Sequence, residues 1–386
     1  MMRNTQCRWL AVALLSCAAA APGPLPAAEP PNAGISNGQI TAKDYLPDPN
    51  NGFYRSTRFD WSGAIASLEY KGHNFYGPWF YKTDLAVYDL GYDDKGVVSA
   101  PFTAMVGPSE EFNTDGTALG FAEAKPGGTF VKIGVGVLRK PLAGEPPIPP
   151  PPARGGPPAR AGAAPNAPVP VGPGRGGSDR YDHSRVYTIV DPGKWTVSKK
   201  KDSVEFTHEL TDAADGYGYV YRKTLRLVPG KPQLVIEHSL KNTGTNPINT
   251  TVYNHNFLVL DNQGPSQDFT VTVPYQIEPG PRPPTAGLLE VRGNQLVYVK
   301  TLTAEDRATA TLRGFGDTAK DYDIRVENKK LGAGYHVVGD RPLSNVAVWS
   351  IRTVNAVEPY VAMSIDPGKN FTWTLTYDYF TTSPAK

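Results

Sequence analysis

Apolar and polar positions alternate with a period of two along most of the chain. In FTWTLTYDYF (residues 371–380), Phe371, Trp373, Leu375, Tyr377 and Tyr379 fall on one face and Thr372, Thr374, Thr376 and Asp378 on the other. Successive side chains of a strand point to opposite sides, so this run predicts a strand with one buried face. KTLRLVPGKPQLVIEHSL (223–240) predicts a hairpin whose turn is Pro229-Gly230-Lys231-Pro232, a sequence that cannot continue a strand ladder. LEVRGNQLVYVK (289–300) predicts another, turning near Gly293-Asn294. TFVKIGVGVLRK (129–140) reads as a single strand, and the runs after residue 184 continue the same style. No helical periodicity lasts beyond about two turns. These elements predict an all-β fold, a large antiparallel β-sandwich in one domain from about residue 35 to 386.

Composition sharpens this picture in three places. The 20 tyrosines and 39 glycines favour strands and turns. Formal charge is +2, with Arg3 and Arg8 inside a leader, and no basic stripe points to nucleic acid. The leader itself, residues 1–28, has a basic start, an apolar run from Trp9 to Leu15 and then small residues, which predicts export to a periplasmic or extracellular location. Cleavage in the Ala-rich stretch would release a soluble protein. Leu14-Leu15-Ser16-Cys17 resembles a bacterial lipobox and would instead leave a lipid anchor at Cys17. Cys7 and Cys17 are the only cysteines, so the sandwich is expected to have neither a disulfide nor a Cys-based metal site.

From 142 to 180 the chain changes character, and with Pro141 this stretch holds about a third of all prolines and almost no large apolar residues. Such a segment cannot bury enough surface to offset its ordering entropy. It is expected to be a disordered or polyproline-like insertion within the one domain, because strand patterns of the same kind flank it.

One strand pattern is interrupted. TVYNHNFLVLD (251–261) sets Asn254, His255 and Asn256 among core-type residues, and each buried polar group without a partner costs a few kcal/mol. No HExxH or CxxC spacing, GxSxG elbow, P-loop or dinucleotide fingerprint occurs, so neither a metal nor a cofactor is implied. Acid–base chemistry by His and carboxylates remains.

The unit KNTGTNPINTTVYNHNFLVLD (241–261) resembles the aldose 1-epimerase (galactose mutarotase-like) pattern, in which an Asn-rich turn leads to a strand carrying N-H-x-aromatic. NVAVWSIRTVNAVEPYVAMSIDPGKNFTWTLTYDYF (345–380) extends the resemblance with Val357-Glu358-Pro359, then Asp366-Pro367-Gly368 and a closing strand. The resemblance implies the mutarotase-like supersandwich, a carbohydrate substrate, no cofactor, and a catalytic pair with His255 as acid and Glu358 as base. On this expectation the two flank the anomeric centre of an aldose from opposite sides, one taking the C1 hydroxyl proton while the other protonates the ring oxygen.

The N-terminal half departs from that pattern. NGFYRSTRFDWSG (51–63) and GPSEEFN (107–113) stand where the epimerases carry sugar-holding Arg and His segments. Arg55 and Arg58 are candidate donors to hydroxyls or a carboxylate, Asp60 a candidate acceptor and Trp61 a candidate stacking surface. A surface turn with a structural Arg–Asp pair is the alternative. Glu110 and Glu111 are expected on opposite faces, one towards solvent and one towards the concave side. Trp79, Tyr217, Tyr219 and Tyr221 read as strand packing, His208 and His238 as core-edge residues, and His73 as exposed. Three functions follow: a mutarotase-like enzyme, a non-catalytic carbohydrate-binding protein, or a polysaccharide lyase or hydrolase on the same fold.

Overall fold

The computed structural model describes residues 29–113, 117–145, 180–212 and 215–382. The leader and most of the proline-rich stretch lie outside these. Among the described residues the chain forms strands, paired antiparallel except for Lys82–Thr83 beside Gly96–Ser99, and two short 3-10 turns, and no helix is long and apolar enough to cross a membrane.

Two large sheets carry the architecture. A ten-stranded sheet runs from Lys194–Lys199 at one edge to Leu289–Arg292 at the other, with Gln233–Asn242 and the closing strand Asn370–Thr381 adjacent near its middle. A six-stranded sheet has the order Glu278–Pro279, Arg307–Arg313, Asn345–Ile351, Val354–Ile365, Ile248–Phe257, Gly107–Asn113. Between them lies the main core, where Leu225, Ile236, Leu240, Leu375 and Tyr377 meet Val252, Val346, Val348, Val357 and Val361. A second apolar cluster, including Phe59, Trp61, Trp79, Phe130 and Leu138, covers the other side of the six-stranded sheet against Phe257, Ile351 and Val354. The strand Gly107–Asn113 and the end of Ile248–Phe257 are therefore buried on both faces, while outer-face positions further across the sheet, such as Thr311, Ala347 and Ala362, keep contact with solvent.

The predicted hairpins are present. Tyr217–Leu227 pairs with Gln233–Asn242 across the Pro-Gly turn, and Leu289–Arg292 with Gln295–Tyr298 across Gly293, whose φ of 68° suits glycine. In the closing strand Trp373, Leu375, Tyr377 and Tyr379 are buried, as the alternation requires. The stretch 129–140 departs from expectation: it is two strands, Thr129–Lys132 and Gly136–Arg139, folded on each other. Gly134 and Gly136 adopt φ of 79° and 137°, which only glycine reaches at low cost, and they reverse the chain inside an otherwise strand-like pattern. Gly136–Arg139 also pairs with Thr188–Asp191, so strands on either side of the proline-rich stretch share one small sheet.

Candidate functional site

The strand Ile248–Phe257 is central. On one side it pairs with Gly107–Asn113, setting Tyr253 opposite Glu111, Asn254 opposite Glu110 and His255 opposite Ser109. On the other it pairs with Val354–Ile365 as far as Tyr253 and Tyr360. The ladder breaks next at Pro359, which has no N–H to donate, and resumes in step with a bridge between Leu258 and Asn355. His255 thus stands directly across from Glu358. Alternation then sorts the side chains, with Tyr253, His255, Phe257, Glu111 and Glu358 on the outer face and Asn254, Asn256 and Glu110 on the inner one.

On the outer face His255 Nε2 lies 3.1 Å from Glu358 Oε1. The imidazole stacks on Phe257 at 3.8 Å and meets the edges of Phe59 and Trp349 at 5.7 and 5.6 Å. Its Nδ1 is buried without a hydrogen-bond partner. Beside this pair, Arg58 Nε donates to Glu111 Oε2 at 2.8 Å and Nη2 to the Tyr253 hydroxyl at 3.2 Å. Lys132 Nζ donates to Glu111 Oε1 at 3.2 Å and to the Phe112 carbonyl at 2.6 Å, and the Tyr253 hydroxyl donates to Glu111.

This packing sets the protonation of the groups. Burial raises the Glu358 carboxyl to about 7, against the opposing pull of the Arg58 and Arg282 guanidiniums. Burial, reinforced by Arg58, holds the His255 imidazole well below its usual range. Both directions favour a protonated carboxyl in contact with a neutral imidazole over an ion pair. Burial acts against the Glu111 carboxylate too, but Lys132 and Arg58 outweigh it and keep that group ionised.

The inner face holds a different cluster. Glu110 accepts from Lys223 and from Asn254 Nδ2 at 2.9 Å, and its Oε1 lies 2.9 Å from His238 Nε2. Lys223 Nζ also lies 3.6 Å from Asp60 Oδ2 and donates to the Ser62 carbonyl. All four charged or titratable groups are sealed between the sheets. Asn256 donates to the Val357 carbonyl where the ladder is broken and accepts from the Tyr377 hydroxyl. The two asparagines thus bind the sandwich interior rather than neighbouring turns.

Of the expected site residues, the structure brings His255, Glu358, Arg58 and Glu111 together. It does not bring Asp60 or Glu110, which belong to the interior cluster, nor Trp61, which is buried with Nε1 donating to the Ser56 carbonyl. Arg55 donates Nη1 to the Asn50 carbonyl in its own turn. Neither glutamate of 110 and 111 faces solvent, because the strand Gly107–Asn113 is covered on both faces. His255 and Glu358 also do not stand on opposite sides of a substrate-sized gap, since they touch. Trp79, Tyr219 and Tyr221 are core residues. His238 is a sealed partner of Glu110 rather than a core-edge histidine, and His73 is held by Asp261, with Nδ1 2.6 Å from Oδ2. Tyr253 and Tyr360 were readable from the sequence, since each lies two residues from a named candidate on the same face. A lysine in the apolar run around Lys132 was a comparable signal.

No family model and no curated protein matches this chain. Among solved structures, a protein from Synechocystis sp. PCC 6803 is similar at 8% identity and a TM-score of 0.48, covering 94% of this chain and 100% of that one. A galactose mutarotase related enzyme from Lactobacillus acidophilus is similar at 13% and 0.47, covering 92% and 99%. A GalM/aldose epimerase homologue from C. elegans is similar at 14% and 0.46, covering 91% and 99%. At these identities and scores the similarities carry no functional weight, and the β-sandwich stands on the strand pairing itself.

Proposed function

We propose that the protein is a carbohydrate-active isomerase of the aldose 1-epimerase type, with the His255–Glu358 pair as its proton-transfer group. The observation that carries this reading is the 3.1 Å contact between His255 Nε2 and Glu358 Oε1, with Glu358 held near 7. Ring opening of an aldose removes a proton from the C1 hydroxyl, breaks the bond between C1 and the ring oxygen, and protonates that oxygen. Both oxygens are attached to C1, so two groups in contact can address them from one edge. They need not lie on opposite sides of the ring. The pair carries one exchangeable proton. In its resting form the Glu358 carboxyl delivers that proton to the ring oxygen while His255 Nε2 takes the hydroxyl proton, the reverse of the assignment that the resemblance implies. Ring closure on the other face of the aldehyde, after rotation about the C1–C2 bond, returns both protons. Arg58, fixed by Glu111 and Tyr253, is the donor best placed to hold a neighbouring hydroxyl.

The direct contact also favours a second reading. A cross-strand pair that satisfies itself can be a structural element of a non-catalytic sugar-binding protein. NMR measurement of anomer exchange over a panel of reducing sugars, against buffer alone, separates the two readings. We further propose, from the leader sequence, that the protein acts outside the cytoplasm.

A further inference from the structure

Among the described residues, Glu358 is closed off on one side and open on the other. On the outer face its neighbours in the strand Ile248–Phe257 are Tyr253, His255 and Phe257, and all three are buried, as is Ala356 in its own strand. In the strand Asn345–Ile351 its neighbours are Asn345, Ala347 and Trp349, with Ala347 directly opposite, and each of the three keeps partial contact with solvent. Asn345 and Trp349 are about 13 Å apart along that strand, and only the methyl group of Ala347 projects between them on this face. Beyond Ala347 the next strand contributes Thr311, directly opposite it and also half-buried. Thr311 and Ala347 thus form a low floor that leads up to the Glu358 carboxyl. Trp349 borders this floor and is fixed beside the pair. Its ring lies 5.6 Å from that of His255 at 70° and 5.8 Å from that of Trp79 at 75°. His255 and Trp79 are each stacked on Phe257. These contacts hold the indole in place while part of it stays exposed.

We infer that Trp349 is the residue that positions the sugar: a pyranose lies over the Ala347–Thr311 floor, with an apolar face of its ring against the indole and C1 towards Glu358. The inference rests on the reading of the His255–Glu358 edge as the anomeric site. A pyranose carries C–H groups on its faces and hydroxyls around its rim. An aromatic side chain covers the first while the second stay free to hydrogen-bond. Holding the ring at a fixed angle brings its oxygen and the C1 hydroxyl to the pair together, which a proton transfer at both oxygens requires. The small side chain at 347 matters as much as the indole. A larger one would fill the floor directly opposite Glu358 and block the approach.

The test uses the full-length protein with glucose, galactose and xylose, and reads anomer exchange and equilibrium binding by NMR. Trp349→Ala should weaken binding of the preferred sugar and raise its KM by roughly ten-fold or more, with kcat within about three-fold of wild type. Trp349→Phe, which keeps an aromatic ring, should restore part of the affinity. Ala347→Leu, a change at a half-buried position that leaves the indole in place, should abolish both binding and exchange without lowering the melting temperature. Ala362→Leu, on the same face but four residues from Glu358 along its strand, should change neither. Unchanged affinity in Trp349→Ala overturns the inference, as does a fall in kcat at constant KM, which would make the indole only a support for His255. Full activity in Ala347→Leu overturns it too, since the sugar would then reach Glu358 from elsewhere, and so does failure of all three sugars to bind wild type. Binding that depends on Trp349 and Ala347 without any exchange has the opposite meaning: the sugar site holds and the isomerase reading falls.

Discussion

His255 and Glu358 stand directly opposite each other on neighbouring antiparallel strands, at the one point where Pro359 interrupts their ladder, with Nε2 and Oε1 3.1 Å apart. A proline inside a sheet usually weakens it. Here it lies beside the pair, at the start of a stretch where side chains such as Asn256 replace backbone bonding, and the strand edges around the pair are free of the ladder.

The protonation of this pair makes a signed prediction. The competent form carries one proton, held on a Glu358 carboxyl raised to about 7 by burial. As pH rises through about 7 that proton is lost, so catalysed anomer exchange should fall. His255, depressed well below its ordinary value, gains a second proton only far on the acid side. A pH profile of kcat between these limits checks it. A rate that climbs through 7 would instead assign the carboxylate as the working base.

The interior cluster predicts a large stability effect with no direct role in chemistry. Lys223 is the shared cation of Glu110 and Asp60, all three fully buried. Lys223→Met leaves two carboxylates without their cation, and breaking a buried pair this way costs about 3–5 kcal/mol. Urea denaturation of Lys223→Met should show that loss, and Lys223→Met combined with Glu110→Leu should recover part of it. A loss below about 1 kcal/mol would place the cluster with surface pairs.

Much of the fold was legible because it depends on local alternation and on turn residues. The faces of 371–380 and the Pro229–Pro232 and Gly293 turns required nothing beyond neighbours in sequence. The stretch 129–140 misled because its glycines reverse the chain without breaking the apolar pattern. The site was half legible. His255 and Glu358 stood out through local motifs, but Asp60 and Glu110 look in sequence like Arg58 and Glu111. Only the tertiary partner decides between them: Lys223, from a strand of the other sheet, draws Asp60 and Glu110 inward. Covering of the strand Gly107–Asn113 on both faces, which hides Glu110 and Glu111 alike, depends on distant parts of the chain and leaves no local trace.

Asp44 offers a pH-dependent check on the packing. It is fully buried, neither carboxyl oxygen has a hydrogen-bond partner, and burial raises it from 3.8 to about 7. Between those values the unfolded chain is ionised and the folded one is not, so stability falls across that window. Above about 7 the full cost stands, on the order of 4 kcal/mol. Asp44→Asn should therefore stabilise the protein by a few kcal/mol at about pH 8 and by little at about pH 3. Thermal or urea melts at the two pH values measure it, and an equal effect at both would contradict the assignment.

The most direct test of the central claim is the rate of anomer exchange, by NMR, for wild type and Glu358→Gln on the same sugar. Gln keeps the shape and the place beside His255 but cannot carry the proton. The account predicts exchange above the buffer rate for wild type and a loss of about 10²-fold or more for Glu358→Gln. A Glu358→Gln protein that exchanges anomers as fast as wild type would contradict it.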